Sequence, residues 1–349
     1  MFNFSLDKKT ESSPFDEVAI WDFLIIGGGP AGLNAALYAK RKGLLVGIIA
    51  DDIGGQLHNT TYVDNYIGLN MIEGEALANA FLDHVNQLEV PILKYQRVKE
   101  IKRVEGIFEI FTSKGKSFST KTLLLATGGA PRKLDVLGEN ELANKGVTYC
   151  ATCDAPFFKG KHVIVAGGGN SAVEGALDLV PWAEKITIVH RSDFRADQIL
   201  LDKIKTIDKI NVHLQTQILE IIGEDHVKGI RALNKLNNEE LIIEADGVLI
   251  EIGTIPNSYL VKDLVELNHK NEIIVDCFQA TSLPGLYAAG DVTEQPYKQI
   301  IISAAEGAKA ALAVTQYLNQ NQKATGNDVK RKKVIKKTRY LESRHRKET

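Results

Sequence analysis

Two cysteines separated by two residues lie near the middle of the chain, in Tyr149-Cys150-Ala151-Thr152-Cys153-Asp154. At this spacing the sulfur atoms can bridge, and the resulting disulfide can accept two electrons. Asp154 follows the second cysteine directly, near enough in the chain to exchange a proton with an emerging thiolate. The segment therefore predicts a redox centre made of Cys150, Cys153 and Asp154.

Two other interpretations of the pair are weaker. Half of a zinc site would need further ligands to reach four, and Cys277 alone cannot complete a thiolate site. Two unrelated buried thiols are usual for isolated cysteines, but not for a pair at this spacing beside an acid. Asp154 by itself is also a common turn or capping residue. We predict a structural role for Cys277 and no metal site.

A glycine-rich loop lies on each side of the cysteine pair. The first, Gly27-x-Gly29-x-x-Gly32, follows a short apolar run at 23–26 and opens a predicted helix over 33–42. The second, Gly167-x-Gly169-x-x-Ala172, follows a predicted strand at 162–166 and opens a helix over 172–179. Strand, tight turn and helix in this order are typical of dinucleotide-binding folds, in which the pyrophosphate meets the N-terminus of the helix. The chain is therefore interpreted as carrying electrons between two nucleotides and a disulfide.

The residue 19 positions after each loop differs in charge. Asp51 follows Gly32 at this distance, which suits an acid that binds a ribose hydroxyl, whereas Arg191 follows Ala172. Arginine beside His190 and near Arg195 can bind a 2′-phosphate through charge-assisted hydrogen bonds. The alternative is that these arginines lie in a solvated loop. Asp193 adds a negative charge nearby, so we expect NADPH to be preferred over NADH with reduced discrimination.

The remaining segments predict an α/β protein with two Rossmann-like, three-layer dinucleotide-binding domains, the second inserted in the first. Alternating segments at 98–104, 107–112 and 117–125 suggest a small antiparallel sheet, and a strand predicted at 44–50 ends at Asp51. A strand at 285–289 before Gly290-Asp291 resembles the strands of the first domain. The predicted boundaries are a flexible leader at 1–17, a first domain at 18–130 plus 257–318, a second domain at 131–256, and a disordered polar and basic tail at 319–349.

Composition limits the class of protein. Hydrophobic residues make up 44% and charged residues 25% of the 349 residues, which is ordinary for a globular protein. Three cysteines and a polar start without an apolar leader segment favour the cytoplasm, and no long apolar run predicts a membrane span. Residues 328–349 hold ten Lys or Arg and three acids, a net charge of about +7. We expect weak contact of this tail with an anionic surface.

The motifs in this order resemble the low-molecular-weight, bacterial-type thioredoxin reductase family over about residues 21–318. The resemblance rests on the two glycine loops, the Cys-Ala-Thr-Cys-Asp run, Gly54-Gly55-Gln56-Leu57 and Gly290-Asp291-Val292. Residues 62–67 and 296–302 are similar to the flavoprotein reductase of alkyl hydroperoxide reductase. That protein carries an extra N-terminal thioredoxin-like module, so this chain is expected to reduce a separate partner.

The resemblance implies FAD in the first domain, a nicotinamide nucleotide in the second, and a homodimer that reduces a thioredoxin-like protein. Cys153 would face the flavin, Cys150 would attack the partner's disulfide, and Asp154 would be the acid–base residue. The departures are Ile67 where the family has Pro, Ala155 where it has Gly, an arginine pattern shortened at 190–195, and the basic tail.

These arguments give two sets of cofactor-binding residues. For FAD they are Gly27, Gly29, Pro30, Ala31, Gly32, Asp51, Gly55, Gln56, Asn65, Thr127, Gly128, Gly290, Asp291, Lys298, Gln299 and Ile300. For the nicotinamide nucleotide they are Gly167, Gly169, Asn170, Ser171, Ala172, His190, Arg191 and Arg195.

Three alternative functions stay open. One is an NADH-dependent reductase of a peroxiredoxin-linked, thioredoxin- or glutaredoxin-like partner. Another is a flavin reductase for a carrier such as ferredoxin, although relatives of that type lack the cysteine pair. The third is an interaction protein that acts through its basic tail, which two intact nucleotide loops disfavour.

Overall fold

The structure is a computed structural model that describes residue 15, residues 18–60 and residues 62–321. Among these residues, no helix is both long and apolar enough to span a membrane. Contacts group the chain into two compact units. Unit 1 comprises Met1–Gly55, Ala78–Gly128 and Pro256–Thr349, and unit 2 comprises Gln56–Leu77 and Gly129–Ile255.

The described chain forms nineteen strands and six helices. The strands are β1 Trp21–Gly28, β2 Val46–Ile53, β3 Tyr62–Val63, β4 Ile72–Glu73, β5 Ile92–Lys94, β6 Val98–Val104, β7 Ile107–Thr112, β8 Ser117–Leu125, β9 Gly129–Pro131, β10 Val147–Thr148, β11 His162–Ala166, β12 Lys185–Val189, β13 Ile210–His213, β14 Thr216–Gly223, β15 Val227–Asn234, β16 Glu240–Glu244, β17 Gly247–Ile250, β18 Thr254–Pro256 and β19 Leu286–Ala288. The helices are α1 Pro30–Arg41, α2 Gly74–Gln87, α3 Ala151–Asp154, α4 Asn170–Leu179, α5 Gln198–Lys205 and α6 at 300–321.

Unit 1 is built on one seven-stranded sheet in the order β5-β2-β1-β8-β7-β6, with β19 beside β8. Strands β5, β2, β1, β8 and β19 are parallel, while β6, β7 and β8 pair antiparallel. Side chains of β1 alternate between two cores, so that Phe23 and Ile25 lie on one face and Leu24 and Ile26 on the other. Full burial of each such side chain contributes about 1.5–3 kcal/mol. Because the parallel strands run in the same direction, their carboxyl ends share one edge of the sheet.

Unit 2 is layered around a five-stranded parallel sheet in the order β10-β17-β11-β12-β13. One face packs against α3, α4 and α5 through a core that includes Val163, Val173 and Ile204. The other face packs against the antiparallel sheet β14-β15-β16 through Ile164 and Ile230. This is a helix layer, a parallel sheet and a second sheet, which gives three layers.

Helix α1 begins at Pro30, three residues before its predicted start, and ends at Arg41, one residue before its predicted end. Gly29 is its N-cap and Pro30 its first residue, a position where proline loses no hydrogen bond because the first N–H groups have no partner inside the helix. Gly43 follows the last turn with φ of 79°, a left-handed conformation that favours glycine.

Several predictions at this level were wrong in detail. The alternating segments of 98–125 form the predicted antiparallel strands β6, β7 and β8, but these strands extend the parallel sheet, because β8 belongs to both parts. Strand β2 continues to Ile53, so Asp51 lies inside it rather than after it. Helix α6 continues to 321, past the predicted start of the tail.

Two further differences concern the predicted boundaries. Phe15, in the predicted flexible leader, is buried with its ring centroid 4.8 Å from that of Trp21 and 5.3 Å from that of Phe118. Residues 56–77, predicted within the first domain, group with unit 2. The rest of the predicted leader up to residue 17, and the tail from 322, lie outside the described residues.

Candidate redox centre and nucleotide sites

Cys150 and Cys153 form a disulfide at the N-terminus of α3, with their Cα atoms 5.3 Å apart. Cys150 is the N-cap, and its Sγ accepts a hydrogen bond from the Cys153 N–H at 3.2 Å. Both cysteines are partly buried. A sulfur at a helix N-terminus lies near N–H groups that stabilise a thiolate, so reduction of this bond would give a nucleophile at Cys150.

Asp154 is tied to the same segment through Thr148. The Thr148 hydroxyl donates to Asp154 Oδ2, and it accepts a hydrogen bond from the Cys150 N–H at 3.3 Å. Burial raises the pKa of Asp154, while the hydrogen bond from Thr148 opposes the rise. The Asp154 carboxyl group thus holds its proton more readily than usual, and Thr148 links it to the Cys150 backbone. A carboxyl group with these properties beside the pair is suited to acid–base exchange with the dithiol.

A fully buried carboxylate, that of Glu139, supports the residue before the pair. Glu139 Oε1 accepts from the Tyr149 hydroxyl at 2.8 Å, and its two oxygens also accept from the N–H groups of Leu134 and Asp135 at 3.1 Å and 2.7 Å. Sequence reasoning missed this residue, because an isolated glutamate is ordinarily a surface residue and its partners are known only from the fold.

The two glycine turns have the same geometry. Gly27 has φ of 118°, and a Cβ added to it would lie 2.1 Å from Ala126 O. Gly167 has φ of 154°, and a Cβ added to it would lie 2.3 Å from Glu251 O. The middle glycines, Gly29 and Gly169, are instead extended N-caps of α1 and α4, and a Cβ on either would meet nothing within 4 Å. The backbone is therefore open at the position where a pyrophosphate approaches a helix N-terminus.

In unit 1 the structure brings four of the predicted FAD segments together at the carboxyl edge of the parallel strands. Gly55 lies against Gly29, since a Cβ on Gly55 would be 3.4 Å from the Gly29 Cα. Gly290 lies against Ala31, with 3.2 Å between a Cβ added to Gly290 and the Ala31 Cβ. The predicted turn at Thr127-Gly128 follows β8 at the same edge, and Gly128 has φ of 64°. Ligands of open parallel sheets bind at this edge.

Two predicted flavin residues, Gln56 and Asn65, fall in the segment that groups with unit 2. The Gln56 side chain donates to Gly129 O at 2.8 Å. The prediction that both bind FAD stays a prediction.

Asp51 is paired with a cation that the sequence did not suggest. Arg97 donates to Asp51 Oδ2 from Nε at 3.0 Å and from Nη2 at 2.6 Å, and both side chains are largely exposed. Such a surface pair contributes about 0–1 kcal/mol, so it leaves Asp51 available for a ribose hydroxyl. Next to it, Asp52 Oδ1 accepts from the Gly55 N–H at 2.9 Å and fixes the second glycine turn.

The Gly290-Asp291 turn is held by buried polar side chains. Glu306 on α6 accepts from the Gly290 N–H at 2.7 Å, and Ser303 donates to Asp291 Oδ1 at 3.2 Å. Burial raises the pKa of Asp291. Lys298 contacts Glu272 at 3.0 Å and donates to Thr293 O at 2.6 Å, while Gln299 and Ile300 lie at the start of α6. The sequence missed Glu306 and Ser303, which lie in an amphipathic helix without a motif.

One buried acceptor of unit 1 has no hydrogen-bond partner among the described residues, namely Gln96 Oε1. Gln96 is 7% exposed, and its N–H donates to Ala50 O at 3.1 Å, one residue before Asp51. A buried amide oxygen without a donor is costly. Its place beside the predicted ribose acid suits an adenine amino group, which would supply the missing donor.

Unit 2 contains a cavity of about 530 Å³ at the carboxyl ends of β11, β12 and β17. Its wall includes the predicted nucleotide residues Gly167, His190, Arg191 and Arg195. Four cationic side chains and one acidic side chain line it: Arg132, Lys133, Arg191, Arg195 and Asp135. This excess of positive charge favours a ligand that carries phosphate groups.

The loop after β12 fixes the arginines of the cavity. The His190 ring packs on Gly168, where an added Cβ would lie 2.2 Å from the ring, and the Arg195 N–H donates to Gly168 O at 2.7 Å. Burial lowers the pKa of His190, and Arg195 and Arg191 lower it further. Asp193 accepts from Gln215 at 3.0 Å. Lys235 donates to Arg191 O at 3.4 Å, so another cationic side chain lies beside Arg191.

Asn170, predicted as a nucleotide ligand, also has a partner within the fold. Its side chain exchanges two hydrogen bonds of 2.8 Å with Asp197, one to the carboxylate and one from the N–H, which tie α4 to the residue before α5. Ser171 is exposed and Ala172 is buried in the core. Among the described residues, no three His, Cys, Asp or Glu side chains are grouped to hold a metal ion.

Comparison with known proteins gives matches over most of the chain. A family model described as pyridine nucleotide-disulphide oxidoreductase matches residues 21–311. An alkyl hydroperoxide reductase subunit of Staphylococcus aureus (strain MSSA476) is 39% identical over 317 residues, 90% of this chain and 62% of that protein. A Bacillus subtilis (strain 168) protein called NADH dehydrogenase is 40% identical over 313 residues, 89% of this chain and 61% of that protein. The chain thus spans less than two thirds of these relatives.

Solved structures are similar over nearly their full length. The thioredoxin reductase of Streptococcus pyogenes MGAS5005 has a TM-score of 0.82 and 37% identity, and the match covers 86% of this chain and 99% of that one. The thioredoxin reductase of Giardia duodenalis has a TM-score of 0.81 and 31% identity, with 86% and 100% covered. The predicted α/β fold with two Rossmann-like domains is confirmed.

Proposed function

Because the chain belongs to the pyridine nucleotide-disulphide oxidoreductase family, we propose that it passes electrons from NADPH, through FAD and the Cys150–Cys153 disulfide, to a thioredoxin-like protein. The observation that carries this proposal is the disulfide at the N-terminus of α3, in the same unit as a cationic cavity at a glycine turn. A dithiol at such a position can be both reduced by a flavin and reoxidised by a protein disulfide.

The residues at the carboxyl edge of unit 1 would hold FAD. The open backbone at Gly29 would accept the pyrophosphate, Asp51 a ribose hydroxyl, Gln96 the adenine, and Asp291 a hydroxyl of the flavin side. When bound, FAD supplies a relay that takes a hydride from the nicotinamide and passes two electrons to the disulfide.

The dithiol then does the exchange chemistry. Two electrons and two protons break the Cys150–Cys153 bond and leave two thiols. Loss of one proton makes Cys150 a thiolate, which attacks the partner's disulfide and expels one partner sulfur. Cys153 then attacks the mixed disulfide, restores the internal bond and releases the second partner sulfur. Asp154, which follows Cys153 directly, is the group that we propose for acid–base exchange with the dithiol.

The cavity of unit 2 would hold the nicotinamide nucleotide, and its arginines favour one that carries a 2′-phosphate. Arg191 and Arg195 line the cavity after β12, where a Rossmann-like domain binds the adenosine ribose. Lys235 lies beside Arg191, and the Gln215 side chain donates to Asp193, the acid between the two arginines. This charge arrangement supports NADPH over NADH.

The preference is tested by steady-state reduction of a thioredoxin-like substrate with each nucleotide. Arg191→Ala is expected to raise the KM for NADPH by about 10- to 100-fold, since a hydrogen bond between charged groups contributes about 1.5–3 kcal/mol. The KM for NADH should change little. The control is Lys185→Ala, which removes an exposed cation at the opposite end of β12. Equal effects on both nucleotides, or a wild-type preference for NADH, would refute the proposal for NADPH.

A second candidate function is an NADH-dependent reductase of a peroxiredoxin-linked thioredoxin- or glutaredoxin-like partner. The names of two relatives, an alkyl hydroperoxide reductase subunit and an NADH dehydrogenase, favour it. A ferredoxin-type flavin reductase is less well supported, because the disulfide would have no role in it. The assay above separates the first two, since only the NADPH enzyme responds selectively to Arg191→Ala.

The proposal also covers the oligomeric state of the protein and its cellular compartment. The resemblance to thioredoxin reductases supports a homodimer. The small number of cysteines, with one pair reserved for redox chemistry, supports a reducing compartment such as the cytoplasm.

A further inference from the structure

A carboxyl group, that of Glu251, lies behind the redox pair. Glu251 follows β17 directly, and its N–H donates to Ala166 O at 2.9 Å. Its partly buried side chain faces the Ala151 backbone N–H, which favours its charged form, and the Ala151 Cβ lies 3.3 Å from a Cβ built on Gly175. Ala151 follows Cys150 directly, so this N–H belongs to the peptide group that joins the two residues. The Glu251 Cγ also lies 3.5 Å from a Cβ built on Gly175, which places it beside α4.

The other residue between the cysteines also donates to a carboxylate. The Thr152 hydroxyl contacts Asp178 Oδ2 at 3.5 Å. The charged groups that face Glu251 are Asp178 and Glu174, both acidic and both on α4. On α3 the ionisable groups are the two cysteines, once reduced, and Asp154. Acidic side chains therefore lie beside both Glu251 and the segment between the two cysteines.

Burial raises the pKa of Glu251 to about 7. The Ala151 backbone N–H opposes the rise, and repulsion by Asp178 and Glu174 adds to it. With the disulfide intact, Glu251 is thus poised between its charged and neutral forms at neutral pH. A new negative charge nearby would shift it to the neutral form.

We propose that Glu251 is a positioning residue of the redox centre that takes up a proton when the Cys150–Cys153 disulfide is reduced. The inference rests on the proposed disulfide reductase function. Two electrons and one proton break the sulfur–sulfur bond and leave one thiol and one thiolate. The second proton, from solvent, goes to the Glu251 carboxylate. Neutral Glu251 then no longer competes as an anion for the N–H groups at the start of α3, which stabilise the thiolate.

The test is the reduction equilibrium of the pair in the full-length, flavin-loaded protein. Mixtures of oxidised and reduced dithiothreitol set the potential over a pH series on both sides of 7. Thiols are trapped by alkylation after an acid quench and counted by mass, in a Cys277→Ser background so that only the pair is counted. For each extra proton taken up, the equilibrium constant for reduction changes about tenfold more per pH unit. For a two-electron couple this is about 30 mV in reduction potential per pH unit.

Wild type is expected to show this extra steepness near pH 7 and Glu251→Gln to lack it. Glutamine has nearly the same size and shape as glutamate but cannot titrate. The matched variant Asp178→Asn removes a neighbouring charge and retains Glu251, so the steep region should remain and move to lower pH. A role limited to packing would change stability without changing this pH dependence.

The same pH dependence in wild type and Glu251→Gln would overturn the inference. So would a steep region that does not move in Asp178→Asn, which gives a second test if Glu251→Gln fails to fold. A wild-type pair that dithiothreitol mixtures do not reduce reversibly would instead overturn the proposed function, so the two failures are distinguishable.

Discussion

Cys150→Ser and Cys153→Ser should each lower the rate of protein disulfide reduction by on the order of a thousandfold or more. The cause is chemical, since exchange needs one sulfur to attack the partner's disulfide and a second to resolve the mixed disulfide. A hydroxyl group performs neither step. Oxidation of NADPH by the flavin with an artificial electron acceptor should survive in both variants, because hydride transfer does not require the pair.

The matched control for the cysteine variants is Cys277→Ser. Cys277 is an exposed free cysteine of unit 1, and its loss should leave turnover nearly unchanged. The measurement is reduction of a thioredoxin-like substrate followed by loss of NADPH absorbance. Continued reduction of the protein disulfide by both single variants would show that the pair is not the electron carrier.

Gly29→Asp should produce a folded protein that binds FAD on the order of a hundredfold or more weakly. The Gly29 backbone is extended, with φ of −79° and ψ of −175°, so any residue fits there, and an added Cβ meets nothing within 4 Å. Aspartate is also a favourable N-cap for α1, so stability should not fall. Its charge would lie where the FAD pyrophosphate approaches, and like charges in contact cost several kcal/mol.

The matched control uses the second loop. Gly169 has φ of −95°, ψ of −176° and the same open surroundings at the start of α4. Gly169→Asp should therefore keep FAD and lose NADPH binding. The measurements are flavin fluorescence during titration of the apoprotein, nucleotide titration of the loaded protein, and thermal unfolding of both. Wild-type FAD affinity in Gly29→Asp, or loss of FAD in Gly169→Asp, would contradict the assignment of the two loops.

Local patterns of the sequence predicted the secondary structure where periodicity was strong. Strands β6, β7 and β11 have the predicted bounds, because alternating or continuous apolar runs between glycines and polar turns leave few other structures. The glycine loops and the cysteine pair were recognisable because their chemistry depends on spacing along the chain. Neither kind of signal says which distant segments meet.

The residues that the sequence did not reveal act through contacts across the fold. Glu139 and Glu306 each accept from a backbone N–H of a functional turn, and Glu251 lies beside the redox pair, but in the sequence each is one glutamate among many. Asn170 was predicted as a nucleotide ligand from its place in the motif, whereas its side chain is engaged by Asp197. Charge counts along the chain also gave no indication that Arg97 pairs with Asp51.

The central claim, that a flavin and the Cys150–Cys153 disulfide act as two electron acceptors in series, is tested most directly by anaerobic titration with NADPH. Each centre takes two electrons, so full reduction of wild type should consume about two molecules of NADPH per flavin, and that of Cys153→Ser about one. Free thiols should appear in wild type as the titration proceeds. Consumption of about one molecule in both proteins, with no thiols formed, would contradict the claim.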